Sequence, residues 1–398
     1  MRRAAIVSPL RTPVGRFLGG LSALPAEALA AEIIKAVVEK SAVDPSRIED
    51  VVFAQSYANS EAPCIGRWAA LAAGLPLEVP GIQLDRRCGG GLQAIVTAAM
   101  MVQTGAADCV LAGGVESMSN IEYYTTALRG GARAGNVALY DRLERGRERS
   151  QPVERFGVIS GMIETAENVA TQCGISREAS DAYAADSHAR AAAAWARGDF
   201  DAEVVPVSVP QRKGDPVVVA RDEGFRPEAT MDSLAKLRPL MKDGVVTAGN
   251  ASQQNDAAAA CLVVAEDQLE ALGLTPMATL VGWAPAGCHP ATMGLGPVPA
   301  VEKLFKRTGL TLEDMGLIEL NEAFACQVLG VMQGLGLEDT ARLNIQGSGI
   351  SLGHPIGATG VRIMTTLLHA MARRGDRYGL ETMCVGGGQG IAAIFEAC

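Results

Sequence analysis

An alternation of apolar strands and helices runs through this chain twice. The first pass has the strand AAIVS from Ala4, a helix from Pro25 to Glu39, the strand VVFA from Val51, a helix over Leu92–Gln103 and the strand VLAGG from Val110. The second has ATLVGW from Ala278, a helix from Pro299 to Arg307, LIEL from Leu317, a helix from Val361 and CVGGG from Cys384. Matching elements lie roughly 270 residues apart, far beyond the repeat length of a solenoid. Strands interleaved with helices form helix-covered sheets, so the pattern predicts a duplicated α/β unit whose two similar halves pack together. With 398 residues, 48% of them hydrophobic, the chain can fill more than one core.

Between the halves, from about Ile121 to Val246, the sequence changes character. The run Asp141–Arg149 (DRLERGRER) mixes charges of both signs and reads as a solvated loop. A helix is expected over Arg177–Arg197, with Ser176 as N-cap and Gly198 just past its end. His188 falls inside that helix among alanines and reads as an ordinary packed or surface histidine. An insertion of this kind, carried by one half, is suited to cover a site between the halves.

The formal net charge of −9 argues against a nucleic-acid surface, which needs a basic patch. Nine cysteines, none in a C-x-x-C pair, point to neither a disulfide framework nor a zinc site, and so to a reducing, cytoplasmic setting without a metal. No stretch has the length of a membrane span, and the N-terminus enters a strand at once without an apolar signal segment.

Three reactive residues sit in glycine-rich turns. Cys88 lies in RRCGGGLQA, between an expected buried strand over Val79–Leu84 and the helix that follows. At a helix N-terminus the unpaired N–H groups favour thiolate over thiol, and adjacent glycines let a substrate carbon approach the sulfur. His354 lies in ISLGHPIGATG ahead of the helix from Val361; an imidazole with a pKa near neutrality would take the Cys88 proton. Cys384 in CVGGGQG offers a second thiol for proton exchange, with the Gly386 N–H available to an oxyanion, and Asn321 in NEAFA would hold a water or a carbonyl.

Six blocks in this order resemble the thiolase family of acetyl-CoA acetyltransferases and 3-ketoacyl-CoA thiolases: the Cys88 block, GGVESMS from Gly113, TAGNAS from Thr247, NEAFA from Asn321, and the His354 and Cys384 blocks. The resemblance spans nearly the whole chain. It implies layered α-β-α-β-α thiolase-type domains, one over 1–120 and 247–272, the other over 273–398, with a helix-rich loop domain over 121–246 for CoA binding. It also implies an acyl thioester on Cys88 activated by His354, proton transfer by Cys384, oxyanions held by His354 with a water on Asn321 and by the N–H groups of Cys88 and Gly386, and CoA as co-substrate with no bound cofactor. Arg226, Ser233 and Ser252 match positions that touch CoA, Met162 matches a pocket residue, and a homodimer or homotetramer is implied.

Asp85, Gly90 and Ser348, the last in QGSG from Gln346, stand where the family commonly has asparagine, serine or alanine, and glycine, so these positions bear on the acyl pocket and the charge near Cys88. Gln253 after Ser252 resembles the degradative branch, which is favoured over a biosynthetic acetoacetyl-CoA thiolase. A ketoacyl synthase would share the doubled fold but is not expected to carry Cys384 in a Cys-x-Gly-Gly-Gly turn. A non-catalytic acyl-CoA-binding protein would be expected to have lost one of the three reactive residues.

Overall fold

The computed structural model describes residues 2–398. Its main sheet has ten strands, nine of them in the order Leu317–Leu320, Tyr378–Val385, Gln389–Ala397, Ala278–Gly287, Ala4–Arg11, Asn255–Ala265, Cys109–Ser117, Asp50–Ala54 and Ile82–Leu84; the short Gly15–Arg16 pairs with Asn255–Ala265 off this path. The order mirrors itself about the junction of Ala278–Gly287 with Ala4–Arg11. On either side two antiparallel pairings are followed by one parallel pairing. The duplication read from the sequence is therefore present strand for strand, with Ile82–Leu84 added at the edge of the first half. In the sheet the two half-sheets meet at the ladder pairs Ala5 with Thr279 and Ile6 with Ala278.

Three apolar clusters define the layers. One packs the helix Ala26–Ser41 on the outer face of the first half-sheet. Another packs Pro297–Thr308 and Ala325–Leu335 on the outer face of the second. Between the half-sheets, the helices Gly90–Thr104 and Thr359–Arg374 share one core with strands of both halves, among them Ile6, Val110, Val263, Met383 and Phe395. This is a five-layer α-β-α-β-α arrangement.

The two central helices touch through glycine. A Cβ on Gly360 would lie 2.0 Å from the Leu92 nitrogen, and one on Gly91 would lie 2.8 Å from the Val361 nitrogen. No side chain fits between them, so the helix after Cys88 and the helix after His354 come together as near as backbones allow.

The halves differ in one connection. In the second, Tyr378–Val385 turns into Gln389–Ala397 through Gly386–Gly388; in the first, the equivalent strands are joined by residues 118–254. The helix Arg177–Arg197 forms as its caps predict, with the Ser176 hydroxyl accepting from the Ala179 N–H and Gly198 left-handed at its end. His188 is buried in it and accepts from the Arg226 N–H at 3.2 Å, an ordinary packed histidine.

Three local expectations are corrected. The strand expected over Val79–Leu84 covers only Ile82–Leu84 and is a partly exposed edge strand, because Pro80 has no N–H for a ladder. The strand placed from Cys384 instead runs over Tyr378–Val385, and Gly386–Gly388 form its turn. The charged run is not a loop: Asp141 accepts from the Leu143 N–H and starts a helix over Arg142–Glu148, with Leu143 buried beneath it.

Candidate active site

The turn that presents Cys88 depends on its neighbours. Arg87 is left-handed, with φ of 48°, and the Asp85 carboxylate accepts its N–H at 2.6 Å. Asp85 thus performs by one side-chain oxygen what an asparagine oxygen would also perform. Gly89 lies where a Cβ would come 2.8 Å from Ile391 and 3.0 Å from Val385, so the nucleophile's turn is seated against the other half. Gly90 faces Ala54, not the cavity, and so does not shape the acyl pocket as its position in the sequence suggested.

His354 is fixed from both sides. Its backbone N–H donates to Asn255 at 2.8 Å, and its Nδ1 lies 2.7 Å from the Thr359 hydroxyl. That hydroxyl donates to the Pro355 carbonyl at 3.0 Å, so Nδ1 carries the proton given to Thr359, and Nε2 is left bare as a base. Asn321 Nδ2 is 3.5 Å from the same Nδ1, too far to compete. Gly357, in the same loop, donates to Glu116, which also accepts from the N–H groups of Ser56 and Tyr57. One buried carboxylate therefore pins the histidine loop to the nucleophile's half; its burial raises its pKa to about 7. Glu116 and Thr359 both lay in recognised sequence blocks, but nothing in one chain reveals which backbone groups they hold.

Cys88, His354, Gly386, Ser252 and Met162 line one cavity of about 640 Å³. The Gly386 backbone lies at the cavity wall beside Cys88, near enough to favour the ionised form of its sulfur. Cys384 and Asn321 are fully buried just behind the wall. Cys384 is close enough to Cys88 and Cys288 that, after burial, their charges further raise its thiol well above the ordinary value.

The electrostatics correct two expectations. Enclosure raises the Cys88 thiol pKa, and the donors from Gly386 and Arg87's charge only partly oppose this, so the resting residue is a thiol and not the thiolate its place at a helix start suggested. Burial, helped by Arg362 and Arg147, lowers His354 from 6.5 to about 3, well below the near-neutral value expected. The resting pair is a neutral thiol beside a neutral imidazole, and proton transfer accompanies attack.

The remaining candidates divide. Ser233 is exposed, and its hydroxyl is engaged with Thr230 in a capping box at the helix Met231–Leu234. Arg226 is exposed and makes no salt bridge among the described residues. Neither lines the cavity. Ser348 is fully buried and does not line the cavity; its hydroxyl donates to Glu319 and accepts from Arg362. Gln253 lines the cavity and ties Gly224 to Ile350 through its amide.

Residues 4–267 match the family described as thiolase, N-terminal domain, and residues 274–397 match thiolase, C-terminal domain. An acetyl-CoA acetyltransferase of Chromobacterium violaceum is 46% identical over 394 residues, covering 98% of this chain and 99% of its own. A beta-ketoadipyl-CoA thiolase of Acinetobacter baylyi is 44% identical over 400 residues, covering 100% of both. The crystal structure of human mitochondrial 3-ketoacyl-CoA thiolase in complex with CoA superposes with a TM-score of 0.93 at 38% identity, covering 100% of this chain and 98% of that one. The chain belongs to the thiolase family, and it is an acyltransferase that uses CoA.

Proposed function

We propose that this thiolase works through Cys88, His354 and Cys384, and that it runs in the direction of cleavage. His354 Nε2 takes the Cys88 proton as the sulfur attacks the keto carbon of a 3-ketoacyl-CoA. The bond between that carbon and the adjacent CH₂ breaks, and its electron pair passes to acetyl-CoA as an enolate. Cys384 gives that carbon its S–H proton, and acetyl-CoA leaves. The thiol of free CoA then attacks the Cys88 thioester; its proton goes to Cys384, and His354 returns the first proton to Cys88.

The single observation behind this reading is that Cys88, His354 and Gly386 line one cavity, with Cys384 buried within electrostatic reach of Cys88. In this reading the N–H groups of Cys88 and Gly386 at that wall hold the oxygen of the carbonyl under attack, where such donors act most strongly. After accepting its proton, His354 has an Nε2–H to give the enolate oxygen. Asn321 Oδ1 is buried with no protein partner among the described residues, which suits it to hold a water there.

Residues 121–246 act in this reading as the cover and CoA-binding insertion, with Met162 in the pocket and the free guanidinium of Arg226 for a phosphate, while Ser252, just beyond the insertion, serves the pantetheine. The engaged hydroxyl of Ser233 leaves it the smallest part. Gln253 favours degradation of 3-ketoacyl-CoA, as in β-oxidation, over synthesis. The exposed edge strand Ile82–Leu84, beside the nucleophile's turn, suits pairing with a second copy, and the free thiols suit a cytoplasmic setting.

Cys384→Ala separates the two proton transfers. Acylation of Cys88 by acetyl-CoA should persist, while condensation and cleavage fall by about 10²–10⁴-fold, the usual span for losing a positioned acid or base. Condensation at an unchanged rate would remove Cys384 from the mechanism.

A further inference from the structure

The charged helix Arg142–Glu148 does more than cover the surface. Its Arg147 and Glu144 line the Cys88 cavity, as does Arg87 from the nucleophile's own turn. The helix is wedged in place: a Cβ on Gly146 would lie 3.0 Å from the Tyr57 ring and 3.4 Å from Arg87 Nη1. Just beyond the helix, the Ser150 carbonyl lies 2.9 Å from where a Cβ on Gly387 would stand. Arg147 is thus carried by a segment held between the nucleophile's side of the cavity and the Gly386–Gly388 turn.

Beside it Tyr57, Met118 and Ile356 give the cavity an apolar wall, with Cys88 packed against them. An acyl chain on the sulfur shares this cavity with the two arginines. A methyl end arriving there would strip water from charged groups and return no hydrogen bond. A carboxylate end would meet planar, charged donors suited to it. Among the described residues Arg147 pairs with one carboxylate, Glu144 at 3.2 Å, and with 58% of its side chain exposed Glu144 is weakly held and displaceable. The charge of Arg147 is also felt by His354 and Tyr57, which places it within electrostatic reach of the reaction centre.

We propose that Arg147, assisted by Arg87, makes this enzyme selective for 3-ketoacyl-CoA substrates whose acyl chain ends in a carboxylate. The proposal rests on the cleavage reading above and adds the substrate class to it.

The test uses the full-length enzyme and two 3-ketoacyl-CoA substrates of equal chain length, one ending in a carboxylate and one in a methyl group. The readout is the ratio of their kcat/KM values, from which effects on the shared chemistry divide out. The unmodified enzyme should favour the carboxylate by about 10- to 100-fold, the range of a charged hydrogen bond. Arg147→Gln should collapse the ratio toward one, and Arg147→Lys should keep part of it. A ratio near or below one in the unmodified enzyme would overturn the proposal while leaving cleavage established. An unchanged ratio in Arg147→Gln, with both substrates slowed alike, would do the same and assign Arg147 to the CoA moiety or to the helix. Failure to cleave any 3-ketoacyl-CoA would instead remove the cleavage reading itself.

Discussion

Replacing Gly360 by alanine tests whether the approach of the two central helices sets the geometry of the site. The added Cβ would stand 2.0 Å from the Leu92 nitrogen, whereas ordinary contact begins near 3.4 Å, and the obstacle is backbone with no flexible end to give way. The helices must therefore separate by about 1.4 Å, an overpacking that costs about 1–3 kcal/mol or somewhat more. Because Cys88 precedes one helix and His354 the other, the separation is transmitted to the nucleophile and its base, and misplacement of about 1 Å can slow a reaction about 100-fold. Gly130, with nothing within 4 Å of its Cβ position, provides the control substitution. Thermal melts and the rate of Cys88 acylation by acetyl-CoA, followed by quenched mass spectrometry, measure the two consequences. Gly130→Ala should match the unmodified protein in both. If Gly360→Ala does so too, the glycine contact does not hold the site together and the reasoning is refuted.

Two further outcomes follow from the histidine environments. Thr359→Val keeps the shape of the side chain but leaves the His354 Nδ1–H without its 2.7 Å acceptor; an unpaired buried donor costs about 1–3 kcal/mol, so acylation should slow about 10- to 100-fold, and an unchanged rate would undo the tautomer assigned here. Burial lowers His354 to about 3 and His188 to about 4, from 6.5. Unfolding therefore takes up protons below about 6.5; the stability these residues contribute is fully present above that pH and declines as pH falls toward their folded values. Buried Glu116 and Glu319, raised to about 7 and about 8, act in the opposite direction over this range, so the histidine contribution is read as a difference: the stability advantage of the unmodified protein over His188→Asn, from urea midpoints, should shrink between pH 7.5 and 5, and parallel curves would contradict the assignment.

The doubled architecture was legible because each half repeats the same apolar segments, and the helix Arg177–Arg197 because Ser176 and Gly198 mark its ends locally. Cys88, His354 and Cys384 stood out because chemistry-bearing side chains at the ends of strands and starts of helices were each surrounded by glycine. Their charge states were not legible. The helix-start argument for Cys88 counts local dipoles, while the thiol's pKa is raised first by enclosure that both halves create together. The same holds for His354, whose burial comes from packing between the halves. Arg142–Glu148 was misread because its charges suggest solvent; only the buried Leu143 and the small Gly146, seated against Tyr57, turn that helix toward the cavity. Ser233 matched a ligand position by sequence, yet its hydroxyl serves a capping box that forms only with Thr230 three residues earlier.

Intact-protein mass spectrometry after incubation with acetyl-CoA addresses the acyl thioester on Cys88 most directly. The unmodified chain should gain one acetyl group, lose it on addition of free CoA, and gain none in Cys88→Ala. An acetyl adduct that survives Cys88→Ala, or an unmodified chain that takes up no acyl group from any acyl-CoA, would contradict the account.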